Sequence, residues 1–408
     1  MAQFSVCVVD DSRSQVELAR ALLEKSGHVV RTAVSSDEAL RAIPLDPPDC
    51  VLLDLMMPGI DGYELCRRLR AMPELARTRL VVVSSKSFPF DRRRAFEMGA
   101  HGYFVKPLAP ATFAADLERL ILGTLTVTFW GVRGTLPVCR ADSYRYGGNT
   151  LCVSLQFPDG RLFVLDAGTG IKALSDSLLA AQRSCLEGKI LISHPHWDHI
   201  NALPFFVPLY IAGNEFEICG PSHGDITMRE LIAGQMAGPY FPITVGEFAA
   251  NVTYRDLDAG DNRIGGVSVR TMLLNQPGKC LGYRLQHEGR AVCFITDNEL
   301  YPADSPLRAH EYVDRLADFC READMLITDC TYTDEIYPRK TQWGHSSASQ
   351  VAELAWRARA RKLYLVHHDP DDTDAVIDRK KARVEAWLAE RGAAVEVVAP
   401  TQSSEFEL

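Results

Sequence analysis

Between Ser193 and His199 the chain reads SHPHWDH, which sets three imidazoles, His194, His196 and His199, and one carboxylate, Asp198, within six consecutive positions. Packing gives no reason for such crowding, because each imidazole is polar and needs a partner when buried. Neutral imidazole and carboxylate are ligands for Zn²⁺, Mn²⁺ or Fe, and the run contains no thiolate. The chemistry expected of this segment is that of a metal centre.

A second group of residues is spread along the first quarter of the chain. Asp10 and Asp11, Asp54, Ser84 and Lys106 each follow a short apolar run. If those runs are parallel strands, their carboxyl ends converge on one crevice and the five residues meet. Three neighbouring carboxylates repel one another, which a hard divalent cation such as Mg²⁺ relieves. A lysine opposite them supplies a point charge able to grip a phosphoryl oxygen.

The surrounding pattern supplies those strands. Apolar runs at 4–9, 29–33, 50–53, 80–83 and 102–105 alternate with amphipathic segments at 14–26, 36–43, 62–70, 91–98 and 110–122, the signature of five βα units around a parallel sheet. From Leu125 onward short strands and helices are mixed, with strands expected at 125–130, 150–157, 161–165, 189–192, 216–219, 267–274, 281–286, 291–295, 325–327 and 363–366. Helices are expected at 171–182, 200–209, 225–236, 306–321, 347–360 and 375–391, and residues 237–250 read as loop. The seam near Gly123 is only a few residues long. The organisation expected is a first domain over 1–123 and a second over 124–408.

The first constellation resembles the receiver domain of two-component response regulators, most specifically in the run DLMMPGIDGY at 54–63. The resemblance implies a doubly wound (βα)5 fold in which Asp54 accepts a phosphoryl group from a cognate histidine kinase or phosphotransfer protein. It implies that Asp10, Asp11 and Asp54 hold Mg²⁺, that Ser84 and Lys106 bind the phosphoryl oxygens, and that Tyr103 is the rotameric switch. Asp61 reads as a helix N-cap rather than a ligand.

The HxHxDH run resembles the signature of the metallo-β-lactamase superfamily, an αββα sandwich with two metals at its strand ends. Further landmarks follow in order: FWGVRGT from Phe129, YGGNT from Tyr146, LDAGTG from Leu165, ITD ending at Asp297, GHS around His345 and VHHDP from Val366. Within the superfamily the chain is similar to the branch of RNase Z and the phosphoribosyl cyclic phosphodiesterases. The resemblance implies that His194 and His196 bind one divalent metal, that Asp198, His199 and His367 bind a second, and that Asp297 bridges them. Gln276 stands where the family usually carries a histidine, and its amide oxygen is a weaker Zn²⁺ ligand than imidazole. His345 precedes a helix capped by Ser346 or Ser347, where an anion is favoured, so it is placed to orient a phosphate or to protonate a leaving oxygen. Asp166 and Asp329 also end strands. Asp166 reads as a residue that steadies a ligand, Asp329 resembles a family position, and Arg133 and Lys279 are candidates to meet a substrate phosphate.

Composition bounds the function. The 408 residues carry 44 Lys and Arg against 53 Asp and Glu, a net charge of -9, with sixteen of each sign in residues 1–123. The acidic excess therefore lies in the second part, which disfavours a long polyanion there. No run is long and apolar enough for a membrane span, and the eleven cysteines are scattered singly, so a cytoplasmic protein with reduced thiols is expected. The function expected is a response regulator, homodimeric, with a metal-dependent phosphodiesterase output acting on a small or cyclic phosphodiester. Two alternatives stay open: hydrolysis of a lactone or thioester, and a sensor or signalling module on the same fold without turnover, which Gln276 keeps alive.

Overall fold

The computed structural model describes residues 3–181 and 186–408. The first part is a five-stranded, wholly parallel sheet in the order Val29–Ala33, Ser5–Val9, Cys50–Leu53, Arg79–Ser84, Gly102–Val105. Its central strands are buried on both faces, as an unbroken apolar run such as Cys50–Leu53 requires. Helices Arg13–Lys25 and Phe113–Leu122 cover one face, and Ser36–Ala42, Gly62–Arg70 and Pro89–Glu97 cover the other, giving two apolar clusters. Asp61 caps Gly62–Arg70 by accepting from Glu64 N at 2.9 Å.

Gly123 ends the last of these helices in the left-handed region, at φ 69°, and the chain enters the strand Thr126–Gly131 three residues later. The second part is two seven-stranded sheets packed face to face. One runs in the order Asn251–Asp256, Glu215–Gly220, Glu187–Leu191, Leu162–Leu165, Cys152–Gln156, Thr126–Gly131, Ser404–Glu407. The other runs Gly260–Ile264, Val267–Leu273, Leu281–His287, Arg290–Ile295, Met325–Asp329, Lys362–Val366, Glu396–Val398. Phe129, Phe163, Tyr283, Phe294 and Tyr364 fill the layer between the sheets. Helix Gly170–Ala180 lies outside the first sheet and helices His310–Phe319, Ala348–Ala358 and Asp374–Ala389 outside the second, each with its own apolar cluster. This is an αββα sandwich.

Several expectations shift in detail. The expected helix 171–182 forms as Gly170–Ala180, and Gln182 lies outside the described residues. The expected helix 200–209 is instead a four-residue turn of helix, Trp197–Ile200, followed by two short 3₁₀ turns, because Pro204 and Pro208 lack the N–H a continuous helix needs. The sequence pattern gives no strand at the edges Asn251–Asp256, Gly260–Ile264, Glu396–Val398 and Ser404–Glu407, where the structure has one each. They are rich in Asp, Glu, Asn and Arg and half exposed, and they form by extending sheets whose inner strands supply the pairing.

The two parts touch through polar contacts. Arg92 donates to the Asp159 carbonyl at 2.7 Å, Arg93 pairs with Glu215 at 2.9 Å, and Arg290 donates to the Gly123 carbonyl at 2.7 Å. Among the described residues no helix is long and apolar enough to cross a membrane.

Candidate metal centre and phosphoryl-acceptor site

In the parallel sheet, Asp10 follows Ser5–Val9 and Asp54 follows Cys50–Leu53, so adjacent strands deliver two carboxylates side by side. Lys106, after Gly102–Val105, reaches both, with Nζ 2.7 Å from Asp10 Oδ2 and 2.9 Å from Asp54 Oδ1. Burial works against its charge, but Asp10 and Asp54 outweigh that and raise the ammonium above its usual range. Both carboxylates are 5% exposed, and their second oxygens accept Ser12 N and Met56 N. Asp11 is exposed beside them. Gly62 meets this turn so closely that a Cβ there would fall 2.1 Å from the Asp54 carbonyl oxygen. Ser84 is fully buried at the end of its strand, and Tyr103 donates to the Lys86 carbonyl at 2.8 Å, tying the fifth strand to the loop after Ser84.

In the sandwich, four strand ends and one short helix converge. Asp166 follows Leu162–Leu165, His194 follows Glu187–Leu191, Asp297 follows Arg290–Ile295, and His367 follows Lys362–Val366. Asp166, Asp297 and His367 all have left-handed backbones, at φ 58°, 44° and 56°. Non-glycine residues adopt this region rarely and at a cost. Asp198 and His199 come from Trp197–Ile200.

The side chains close on one point. His194 Nε2 stands 3.4 Å from Asp297 Oδ2, and His199 Nε2 stands 3.3 Å from Asp297 Oδ1 and 3.2 Å from Asp198 Oδ2. His367 Nε2 lies 3.1 Å from both Asp198 Oδ2 and Asp297 Oδ1. Three overlapping sets offer ligand atoms within 4.8 Å of one another: His194, His199 and Asp297; Asp198, His199 and His367; Asp297, His345 and His367. His194 Nε2 and His199 Nε2 are buried without a hydrogen-bond partner although carboxylate oxygens surround them. His367 Nε2 bonds Asp198 Oδ2, but the two partnerless imidazole nitrogens and the carboxylates that converge with them suit divalent cations, so the residues present fit the metals the fold implies.

Neighbours fix these groups. Asp166 accepts from Ser193 N at 2.7 Å and holds His199 Nδ1 at 2.7 Å, which leaves His199 Nε2 facing the centre. Thr135 N donates to Asp198 Oδ2 at 2.7 Å. Burial opposes ionisation of Asp198, but His199 and His367 outweigh it and hold the carboxyl far below its usual range. His345 sits against the ring of His367 at 4.9 Å, with Nδ1 3.2 Å from Asp329 Oδ2. Burial lowers its basicity, yet Asp297 and then Asp329 push it up to about 9.

His196 takes the N-cap position of the short helix and is exposed, its ring 4.2 Å from that of His194 and outside the three sets. Gln276 is buried, its Oε1 has no hydrogen-bond partner, and it lies against Gly344. Arg133 does not meet a substrate: it is fully buried and donates to the carbonyls of Gly147 and Asp372. Lys279 is paired with Asp258 at 2.6 Å. One residue the sequence did not single out, Glu299, is buried two positions after Asp297; its only signal is a charged residue in a strand-end segment otherwise destined for the interior.

Residues 161–368, more than half of the chain, match the family described as the beta-lactamase superfamily domain. The chain belongs to that superfamily. Residues 6–118 match the response regulator receiver domain, so a receiver is fused ahead of the beta-lactamase-superfamily fold. The structure is similar to the metallo-beta-lactamase fold protein YhfI from Bacillus subtilis, with TM-score 0.50 and 16% identity, covering 70% of this chain and 100% of that one; at this identity the likeness concerns the fold. Among curated relatives, the alkaline phosphatase synthesis transcriptional regulatory protein PhoP of Bacillus subtilis (strain 168) is 34% identical over 116 residues, 28% of this chain and 48% of the relative. The gliding motility regulatory protein of Myxococcus xanthus is 36% identical over 116 residues, 28% of this chain and 15% of the relative. The match spans about half or less of each relative and falls on the receiver.

Proposed function

We propose that this protein is a response regulator whose superfamily fold is a divalent-metal-dependent hydrolase of small phosphodiesters, controlled by phosphorylation of Asp54. The observation that carries the reading is the convergence of His194, Asp198, His199, Asp297 and His367 around partnerless imidazole nitrogens, with His345 beside them. His194 and Asp297, with His196 and Gln276 as further candidates, would hold one Zn²⁺, Mn²⁺ or Fe ion; Asp198, His199, Asp297 and His367 would hold another. Bound there, such ions supply a lowered pKa for water and stabilisation of the charge that develops on phosphorus.

The chain's own groups do the rest. Asp198 stays ionised and, fixed by Thr135 N, is aimed at the centre. His345, anchored at Nδ1 by Asp329, is placed to give a proton to the leaving oxygen. In the receiver, Asp10, Asp11 and Asp54 would hold Mg²⁺, Lys106 and Ser84 would bind the phosphoryl oxygens, and a histidine kinase or phosphotransfer protein would be the donor. A route to the hydrolase runs through helix Pro89–Glu97. Tyr63 donates to Asp91 Oδ1 at 2.9 Å, and the next two residues, Arg92 and Arg93, grip Asp159 and Glu215 of the sandwich. Tyr103, holding the Lys86 carbonyl, can relay the state of Asp54 to that helix.

Metal analysis together with turnover of a generic aryl phosphodiester tests this. The native protein is expected to bind metal and hydrolyse the diester, and His196→Ala to lose metal from one site. A second reading, a signalling module without turnover, rests on Gln276. It prevails if the native protein binds no metal and turns over nothing whereas Gln276→His does both.

A further inference from the structure

Glu299 is 2% exposed, and no lysine, arginine or histidine forms an ion pair with it among the described residues. A buried carboxylate is costly unless neutral donors satisfy it. Three do: Tyr337 Oη donates to Oε1 at 2.8 Å, Gln342 N to Oε1 at 2.8 Å, and Gly344 N to Oε2 at 2.9 Å. All three donors belong to the loop that leads into His345.

Within that loop Lys340 N donates to the Tyr337 carbonyl at 2.8 Å and Trp343 N to the Lys340 carbonyl at 3.2 Å, while its end at Gly344 is held from outside. Gln342 and Gly344 have left-handed backbones, at φ 70° and 85°, and a Cβ at position 344 would fall 1.6 Å from Gln276 Oε1. On the far side of His345, Ser346 Oγ donates to the Asn298 carbonyl at 2.5 Å and accepts from Leu300 N at 3.0 Å. The segment Asn298 to Leu300, immediately after Asp297, therefore grips both neighbours of His345. Glu299 also exchanges bonds with Asn275, its N–H donating to the Asn275 carbonyl at 2.9 Å and its carbonyl accepting from Asn275 Nδ2 at 2.8 Å, which ties in the loop carrying Gln276.

We propose that Glu299 is a positioning residue, which acts through Gly344 to hold the His345 ring against His367 and Asp297. The catalytic consequence rests on the hydrolase reading above; the structural one does not. A glutamine has one oxygen in place of two, so its amide nitrogen must face either Gly344 N or the pair Tyr337 Oη and Gln342 N while shape and burial are kept.

The test is Glu299→Gln in the full chain. Amide exchange across residues 342–346 is expected to quicken by about tenfold or more, with metal content unchanged. The kcat on an aryl phosphodiester is expected to fall about 10- to 100-fold, with KM within about threefold, as slight misplacement of a reacting group does. In a His345→Ala background the same substitution is expected to add no further loss, because both changes act through one group. Tyr337→Phe, which removes one donor and spares Gly344, is the milder companion, with kcat expected within about twofold of native. Unchanged exchange in Glu299→Gln, or a full additional loss in the His345→Ala background, overturns the proposal. If the native protein turns over no diester with any metal supplied, the hydrolase reading falls, and the exchange measurement still decides whether Glu299 holds the His345 turn.

Discussion

His367 Nε2 stands 3.1 Å from Asp297 Oδ1, and the two residues end strands that flank Met325–Asp329 on either side. Both have positive φ, which the fold maintains against a local cost of the order of 1–3 kcal/mol each. The strand that lies between them delivers Asp329, which reaches His345. Three consecutive strands of one sheet thus set a carboxylate, a carboxylate that anchors a histidine, and a histidine at one edge.

Carboxylates and partnerless imidazoles held together at nearly zero exposure are stabilised by bound cations. Metal at about 100 times its dissociation constant adds about 2.7 kcal/mol per site, so chelation is expected to lower the Tm by about 5 °C or more, and readdition to restore it. Calorimetry with and without chelator checks this. Asp166→Asn, which weakens the hold on His199 Nδ1, is expected to cost about 10- to 100-fold in metal affinity, read by competition with a chromogenic chelator. Native affinity in Asp166→Asn would remove the orienting role.

The Arg93–Glu215 pair is exposed on the arginine side, and pairs of this kind contribute about 0–1 kcal/mol. Arg93→Ala is therefore expected to leave Tm nearly unchanged. Its effect should appear in coupling: the ratio of diester turnover with and without beryllofluoride, which mimics phosphoryl-Asp54, is expected to move toward one. A ratio equal to that of the native protein would show that helix Pro89–Glu97 does not transmit through this contact.

Much of the site was legible because its chemistry is local in sequence. His194, Asp198 and His199 lie within one loop, and Asp54, Ser84 and Lys106 each sit at the end of an apolar run, so a parallel topology was enough to bring the latter three together. Arg133 reads as a substrate contact because a guanidinium signals charge, whereas its burial and its bond to the Asp372 carbonyl, 239 positions away, are set only by the folded chain. Glu299 was missed for the same reason: its three donors begin 38 positions later in a loop whose path only the folded sheet defines. The acidic edge strands follow from sheet pairing and not from their own propensity.

His101 gives a pH dependence in the receiver. Its Nδ1 accepts from Leu80 N at 3.0 Å, and burial, helped by Arg70 and Arg79 and opposed by Glu288, lowers its pKa to about 4. In the unfolded chain the ring takes up a proton near the ordinary value of about 6.5. Above that pH neither state is protonated and the group contributes nothing. As pH falls from about 6.5 toward 4 the unfolded state binds the proton first, so stability declines through this window and levels off below it. The full shift corresponds to about 3 kcal/mol, which partial exposure reduces to the order of 1–2 kcal/mol. Urea midpoints of the native protein between pH 7 and 5 should fall more steeply than those of His101→Asn, which cannot titrate; parallel slopes would assign the pH dependence to other groups.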